Sequence, residues 1–247
     1  MPSAVPIRPI PVTTPTPSGG TSPGGVTGGT RGTSGPDSLR GSAGANLIFG
    51  LGGPDTILGL GADDSLYGGD GDDSLLGDAG NDLLFGGAGR DSVLGGAGDD
   101  TFYGGKGSDS MLGDEGNDLL FGNQDTDTLL GGAGDDSLFG GAGDDSLFGG
   151  IGNDCLSGDR GRDTLTGGAG NDTFAIGRLA DGDVIADFAD GTDRIRLTAG
   201  LTFGELTISA GTGTSPSTII QLTNTKETLA NLFGVAPSSI TQADFIF

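Results

Sequence analysis

Residues 131–139 read GGAGDDSLF, and residues 140–148 read GGAGDDSLF again. Outward from this pair the nine-residue period runs without insertion or deletion from Gly32 to Ala175, which makes sixteen units. The first position is glycine in all sixteen, and the fourth is glycine in fourteen, with Ala62 and Asp125 the exceptions. The sixth is aspartate in fifteen, with Asn46 the exception, and the eighth is apolar in all sixteen, from Leu39 to Phe174. An unstructured acidic tract has no reason to hold an apolar residue at every ninth position. The period is therefore the signature of a repeat architecture.

Each position has a physical reading. The glycines permit positive φ and tight turns that a Cβ would block. The segment around position eight alternates, so its middle residue points inward and its neighbours outward. The ninth position alternates between Phe49, Tyr67, Phe85, Tyr103, Phe121 and Phe139 in even units and Leu58, Leu76, Leu94, Leu112 and Leu130 in odd ones. That 18-residue alternation supports two units per coil. The aspartates then recur once per turn and stack along the molecule, about 5 Å apart, where like charges repel. An oxygen-seeking divalent cation between them reverses the sign.

Composition narrows the function. Glycine supplies 54 of 247 residues, and 34 acidic residues against 11 basic ones give a net charge of −23. Such a chain repels nucleic acid and anionic membranes and attracts cations. There is no histidine, which removes Ser-His-Asp triads and the H-E-x-x-H zinc motif. The abundant carboxylates are accounted for by the repeat, so the sequence predicts no enzyme. Cys155, the one cysteine, excludes an intramolecular disulfide framework. It follows Leu47, Leu83 and Leu119 at a spacing of 36 and reads as a small apolar substitute for leucine. No stretch approaches the ~20 apolar residues of a membrane span, and no apolar run of a secretory signal peptide follows Met1.

The pattern G-G-x-G-x-D-x-U-x over residues 32–175 resembles the RTX (hemolysin-type) calcium-binding nonapeptide-repeat family. The resemblance implies an all-β fold: a right-handed parallel β-roll, or β-solenoid, in which six residues of each unit turn and three form a strand. It also implies calcium between unit n and unit n+2, held by position-six carboxylates and turn carbonyls. One ladder of expected metal ligands is Asp37, Asp55, Asp73, Asp91, Asp109, Asp127, Asp145 and Asp163. The other is Asn46 followed by Asp64, Asp82, Asp100, Asp118, Asp136, Asp154 and Asp172. Eight rungs leave seven gaps in each ladder, so up to about fourteen Ca²⁺ ions are expected. The repeat itself carries 26 acidic and 5 basic residues, which that many ions would neutralise. Asn46, at a sixth position, and Asp125, at a fourth, depart from the pattern. One inward apolar side chain per nine residues is a thin core against the entropy of ordering a glycine-rich backbone. Metal binding is expected to supply much of the folding free energy.

Three regions are expected. Residues 1–31, rich in Pro, Thr, Ser and Gly, read as an extended disordered arm. Residues 32–175 form the calcium-binding roll. Residues 176–247 form a C-terminal β cap, with strands near 183–188, 193–198, 205–209 and 218–223 shielding the open end. The terminal ADFIF resembles tails read by type I secretion machinery; it also reads as a final cap strand. A secreted, extracellular or cell-surface protein follows from the resemblance, since weak extracellular calcium sites fill outside the cell. The primary reading is an exported calcium-binding protein with a structural or surface role. The alternatives are an adhesin or glycan-binding module using the outer aromatic face, and a non-catalytic remnant of an RTX enzyme. The apolar stripes outside the two sheets stiffen them in the plainer reading and support self-association in the sharper one.

Overall fold

The computed structural model describes residues 29–178, 181–211 and 216–246. Its strands alternate between two sheets, one of 11 strands and one of 12. Each repeat strand pairs in parallel with the strands one coil before and one coil after: Leu119 lies between Thr101 and Ser137, and Ser110 between Ser92 and Thr128. The register step is 18 residues, which is the coil length that the aromatic–leucine alternation predicts. No α-helix occurs among the described residues. The chain is an all-β parallel β-roll.

Three-residue strands are too short a description. Ser65–Asp70, Leu83–Ala88 and Thr101–Lys106 are each six residues long and take in positions seven to nine plus the first three of the next unit. Pairing continues through the glycines, with Gly87 opposite Gly69 and Gly105 and Ala88 opposite Asp70 and Lys106. Nothing on a Gly-Gly step pushes the two backbones apart, so the ladder extends until the position-four turn. From the third unit on, that turn takes a left-handed backbone, with Gly89 at φ 132° and Gly134 at φ 140°. Ala62 and Asp125, the two non-glycine residues there, keep the same hand at φ 61° and 70°. The repeat therefore holds its shape through both exceptions, at a strain of roughly 1–3 kcal/mol each.

The core is a double column of position-eight side chains. From Ile48 to Phe174 every one is at most 2% exposed, while Leu39 on the first coil is only partly covered. The columns continue past the last nonapeptide: Ile185 stacks on Leu165 and then Leu232 on Ile185, and Ile195 on Phe174 and then Phe245 on Ile195.

The C-terminal strands are Asp183–Ile185, Arg194–Leu197, Leu206–Ala210 and Ser217–Leu222, then Thr228–Phe233, for which no strand is expected above, and Phe245–Ile246, which falls within the ADFIF read as a final cap strand. The first two extend the parallel sheets. Ser217–Leu222 then pairs antiparallel with both Thr228–Phe233 and Leu206–Ala210, which ends the parallel stack. Upstream, Thr30–Arg31 pairs with the Leu47–Gly52 strand, so sheet pairing begins inside the stretch read as an arm. Residues 1–28 of that arm and Phe247 of the ADFIF tail lie outside the described residues.

Candidate metal centre

The position-six aspartates form two internal ladders. Asp55 through Asp172 are each 1–3% exposed; Asp37, on the end coil, is half-buried, and its Oδ2 accepts hydrogen bonds from the Thr33 N–H and hydroxyl. Consecutive rungs are tied in both directions. The Asp109 N–H donates to Asp127 Oδ1 at 2.8 Å, and the Thr128 N–H donates to the Asp109 carbonyl at 2.9 Å. The same bond joins Asp64 to Asp82, Asp100 to Asp118 and Asp145 to Asp163, at 2.7–2.8 Å.

The second oxygen of each carboxylate is a different matter. Oδ2 of every ladder aspartate from Asp55 to Asp163 is buried with no hydrogen-bond partner. A Cβ placed on Gly122 would strike both Asp127 Oδ2 and the Gly140 carbonyl oxygen, and one on Gly131 would strike Asp136 Oδ2 and the Gly149 carbonyl. In most units two acceptor oxygens thus border one small space, the exceptions being those of Gly41, Gly95, Gly158 and Gly167. This explains why position one is invariably glycine. Leaving a charged acceptor buried and unpaired is costly, and only a proton or a cation can reconcile acceptors that face each other.

Asn46 is the one rung that places a donor there. Its amide Nδ2 takes the place that Oδ2 takes elsewhere. It donates toward the Ser42 carbonyl at 3.1 Å, the Gly44 carbonyl, the Gly59 carbonyl at 3.4 Å and Asp64 Oδ1 at 2.7 Å. Its Oδ1 accepts from the Ser42 N–H at 3.0 Å, which fixes the orientation of the amide. Three backbone carbonyls and one carboxylate oxygen therefore converge on a point that in this unit holds a positively polarised group. Among the described residues no three acidic side chains converge on one point, so carbonyls must complete any site, as they do around Asn46. An oxygen-only donor set of this kind suits a hard divalent cation such as calcium.

The electrostatics agree. Burial pushes Asp127 up to about 8, opposed by the hydrogen bond from Asp109 and reinforced by the Asp109 and Asp145 carboxylates on either side. Burial likewise raises Asp91, Asp100 and Asp136 to about 7 and Asp82 and Asp118 to about 6.

Residues 31–66, 49–84, 58–93, 85–120, 121–156 and 152–181 match the RTX calcium-binding nonapeptide repeat (4 copies). The chain belongs to this RTX family. A subunit of the mannuronan C5-epimerase of Azotobacter vinelandii is 30% identical to this RTX chain over 55% of the chain and 84% of its own length, with a TM-score of 0.44. An extracellular lipase of Serratia marcescens is 18% identical over 87% of this chain, with a TM-score of 0.39, and the chain spans 40% of the lipase. No curated protein matches.

Two sets of residues escaped the sequence reading. The first is the pair that prolongs the ladders, Asp183 and Asp193, whose Oδ1 atoms accept from the Asp163 and Asp172 N–H groups at 3.1 and 3.0 Å. Each is followed two residues later by an inward apolar residue, Ile185 and Ile195, the same D-x-U signal as in the repeat. The spacing slips from 18 to 20 and 21 residues, which hides it from a search by period. The second is an outer ladder at position five of the even units. There Asn81, Asp99, Asn117, Asp135, Asn153 and Asn171 each donate a backbone N–H to the side chain one coil earlier, at 2.8–3.1 Å. Asparagine alternates with aspartate from Asp63 to Asn153, so no two stacked neighbours there are both charged. The 36-residue similarity among units carries that signal.

Cys155 sits at an outward position between Ser137 and Thr173, where its sulfur accepts from Arg196 Nη1 at 3.3 Å.

Proposed function

We propose that this RTX protein is exported with its aspartate ladders unfolded and folds outside the cell around calcium, as a structural or surface protein without catalysis. The observation that carries the reading is the row of buried, unpaired Oδ2 atoms from Asp55 to Asp163, set against the one unit in which Asn46 supplies an N–H group instead. Asp55, Asp64, Asp73, Asp82, Asp91, Asp100, Asp109, Asp118, Asp127, Asp136, Asp145, Asp154, Asp163 and Asp172 are the proposed metal ligands, with Asp37 as the end rung. Calcium supplies positive charge and a preference for oxygen donors at each space between rungs. The aspartates hold one oxygen toward the backbone and leave the other for the ion. The position-one glycines keep the space clear, and the turn carbonyls close it.

Export is supported by the family, whose members are typically exported, and by the physics of weak extracellular calcium sites. A net charge of −23 keeps the metal-free chain expanded by self-repulsion, a form suited to passage through a narrow channel. Type I secretion machinery is the proposed exporter, reading the C-terminal segment before it docks as the last strand of its sheet. Fractionating the producing culture tests this. The protein is expected in the medium or on the cell surface; accumulation in the cytosol of cells with intact secretion overturns it.

The outer aromatic residues favour stiffening over glycan recognition. Phe49, Tyr67, Phe85, Tyr103, Phe121 and Phe139 stack with centroids 4.8–5.1 Å apart and planes within 18° of parallel. Each inner ring has both faces covered by its neighbours, and the Arg31 guanidinium lies 5.5 Å over Phe49. A sugar-stacking platform needs open ring faces, and these rings turn their edges outward.

A further inference from the structure

The two aspartate ladders end differently at the C-terminal side. In the second ladder, Asp193 has both oxygens satisfied: Oδ1 accepts from the Asp172 N–H at 3.0 Å and Oδ2 from the Ala189 N–H at 2.8 Å. In the first, Asp183 Oδ1 accepts from the Asp163 N–H at 3.1 Å, but Oδ2 is buried with no partner in a residue that is 0% exposed. Asp163 Oδ2 beneath it is in the same condition. Asp183 lies beyond residue 181, where the match to the nonapeptide repeat stops.

The seam between roll and cap is thin on the same side. The Thr164–Ala169 strand pairs with Asp183–Ile185 through only Thr164↔Val184 and Leu165↔Ile185, whereas it shares five register pairs with the preceding Ser146–Ile151 strand. Beyond those two pairs the joint is held by the Asp187 carboxylate, which accepts from the Gly167 and Gly168 N–H groups at 2.9 Å. On the opposite sheet the seam is wider, with four pairs from Thr173↔Arg194 to Ile176↔Leu197. Asp183–Ile185 in turn carries Thr228–Phe233, and through it the antiparallel strands that close the sheet. The unpaired carboxylate therefore stands at the narrow joint, and the satisfied one at the broad joint.

We propose that Asp183 is a calcium ligand outside the repeat, and that ion binding at the Asp163–Asp183 step fastens the C-terminal cap to the roll. The inference rests on the calcium reading given above. It makes cap folding calcium-dependent through the first ladder alone, while the second ladder closes with hydrogen bonds.

The test compares the full chain with Asp183→Asn and Asp193→Asn, using equilibrium dialysis against calcium and amide hydrogen exchange at saturating calcium. Asp183→Asn is expected to bind one ion fewer. It should also lose roughly tenfold or more of the exchange protection at residues 229–232, with protection of Leu83–Ala88 and Thr101–Lys106 unchanged. Asp193→Asn is expected to keep the full ion count. An Asp183→Asn chain with unaltered stoichiometry and cap protection overturns the inference, as does one in which the whole roll unfolds, because the upstream rungs carry their own ions. If the unsubstituted chain binds no calcium, the failure belongs to the calcium reading itself.

Discussion

The backbone N–H of Asp109 reaches Oδ1 of Asp127 on the next coil at 2.8 Å, and Oδ2 of that same carboxylate is buried with no partner at all. The arrangement repeats rung after rung, so the fold itself prepares one unmet acceptor per turn. Its consequences can be measured.

The first consequence is a dependence on pH. The metal-free aspartates Asp82, Asp91, Asp100, Asp118, Asp127 and Asp136 titrate at about 6 to about 8 in the fold, against an ordinary 3.8. Groups raised on folding bind protons more tightly in the folded chain. Their contribution to stability is therefore complete below the unfolded value and disappears as pH rises through the folded values. In excess chelator, the chain is expected to gain β structure as pH falls from 8 to about 4.5, which circular dichroism follows. The calcium midpoint should move the other way, rising on acidification as protons compete for the same oxygens. A calcium midpoint that does not change between pH 5.5 and 8 contradicts this.

A second consequence concerns Asn46. Its amide holds the space that a cation is proposed to hold in the other units, so Asn46→Asp should add one bound calcium ion. The same change should make protection of the Ser38–Arg40 and Leu47–Gly52 strands calcium-dependent. Direct ion counting by equilibrium dialysis checks it, and an unchanged count contradicts it.

Much of this was legible in the residues. An invariant position-one glycine, an aspartate five residues later and an apolar residue two beyond that each carry a steric or electrostatic reason, enough to read tight turns, an inward column and stacked carboxylates; the roll itself follows from the resemblance those motifs carry. The alternation of Phe85 and Tyr103 with Leu94 and Leu112 was enough to read two units per coil. What escaped has physical causes too. Strand pairing through Gly86–Ala88 was hidden because glycine carries no strand signal of its own. Asp183 and Asp193 were hidden because the chain loops out by two and three residues before each, so stacking in space outlasts periodicity in sequence. The Asp99–Asn117–Asp135 ladder was overlooked because position five varies from unit to unit until alternate coils are compared.

Glycine substitutions separate the site from the turn. Gly122→Ala puts a methyl group against Asp127 Oδ2 and the Gly140 carbonyl, whereas a Cβ on Gly35 meets nothing within 4 Å. The first is expected to weaken the calcium-bound fold by roughly 1–3 kcal/mol, and the second to stay within about 0.5 kcal/mol of the parent. Thermal melts in saturating calcium give both values.

Tyr103 tests the outer stack. It lies between Phe85 and Phe121, at 4.8 and 5.1 Å. Tyr103→Ala breaks both contacts and is expected to cost about 1–3 kcal/mol, with no change in the number of calcium ions bound. A drop in ion count would link the aromatic face to the metal sites and contradict this.

The most direct test of the central claim is a calcium titration of the full chain that records circular dichroism and bound ions together. A largely unfolded chain is expected in chelator at pH 7.5. It should pass cooperatively to β structure at about 10⁻⁴–10⁻³ M calcium while taking up on the order of ten or more ions. A chain already rich in β structure in chelator, or one that binds only two or three ions at millimolar calcium, would contradict it.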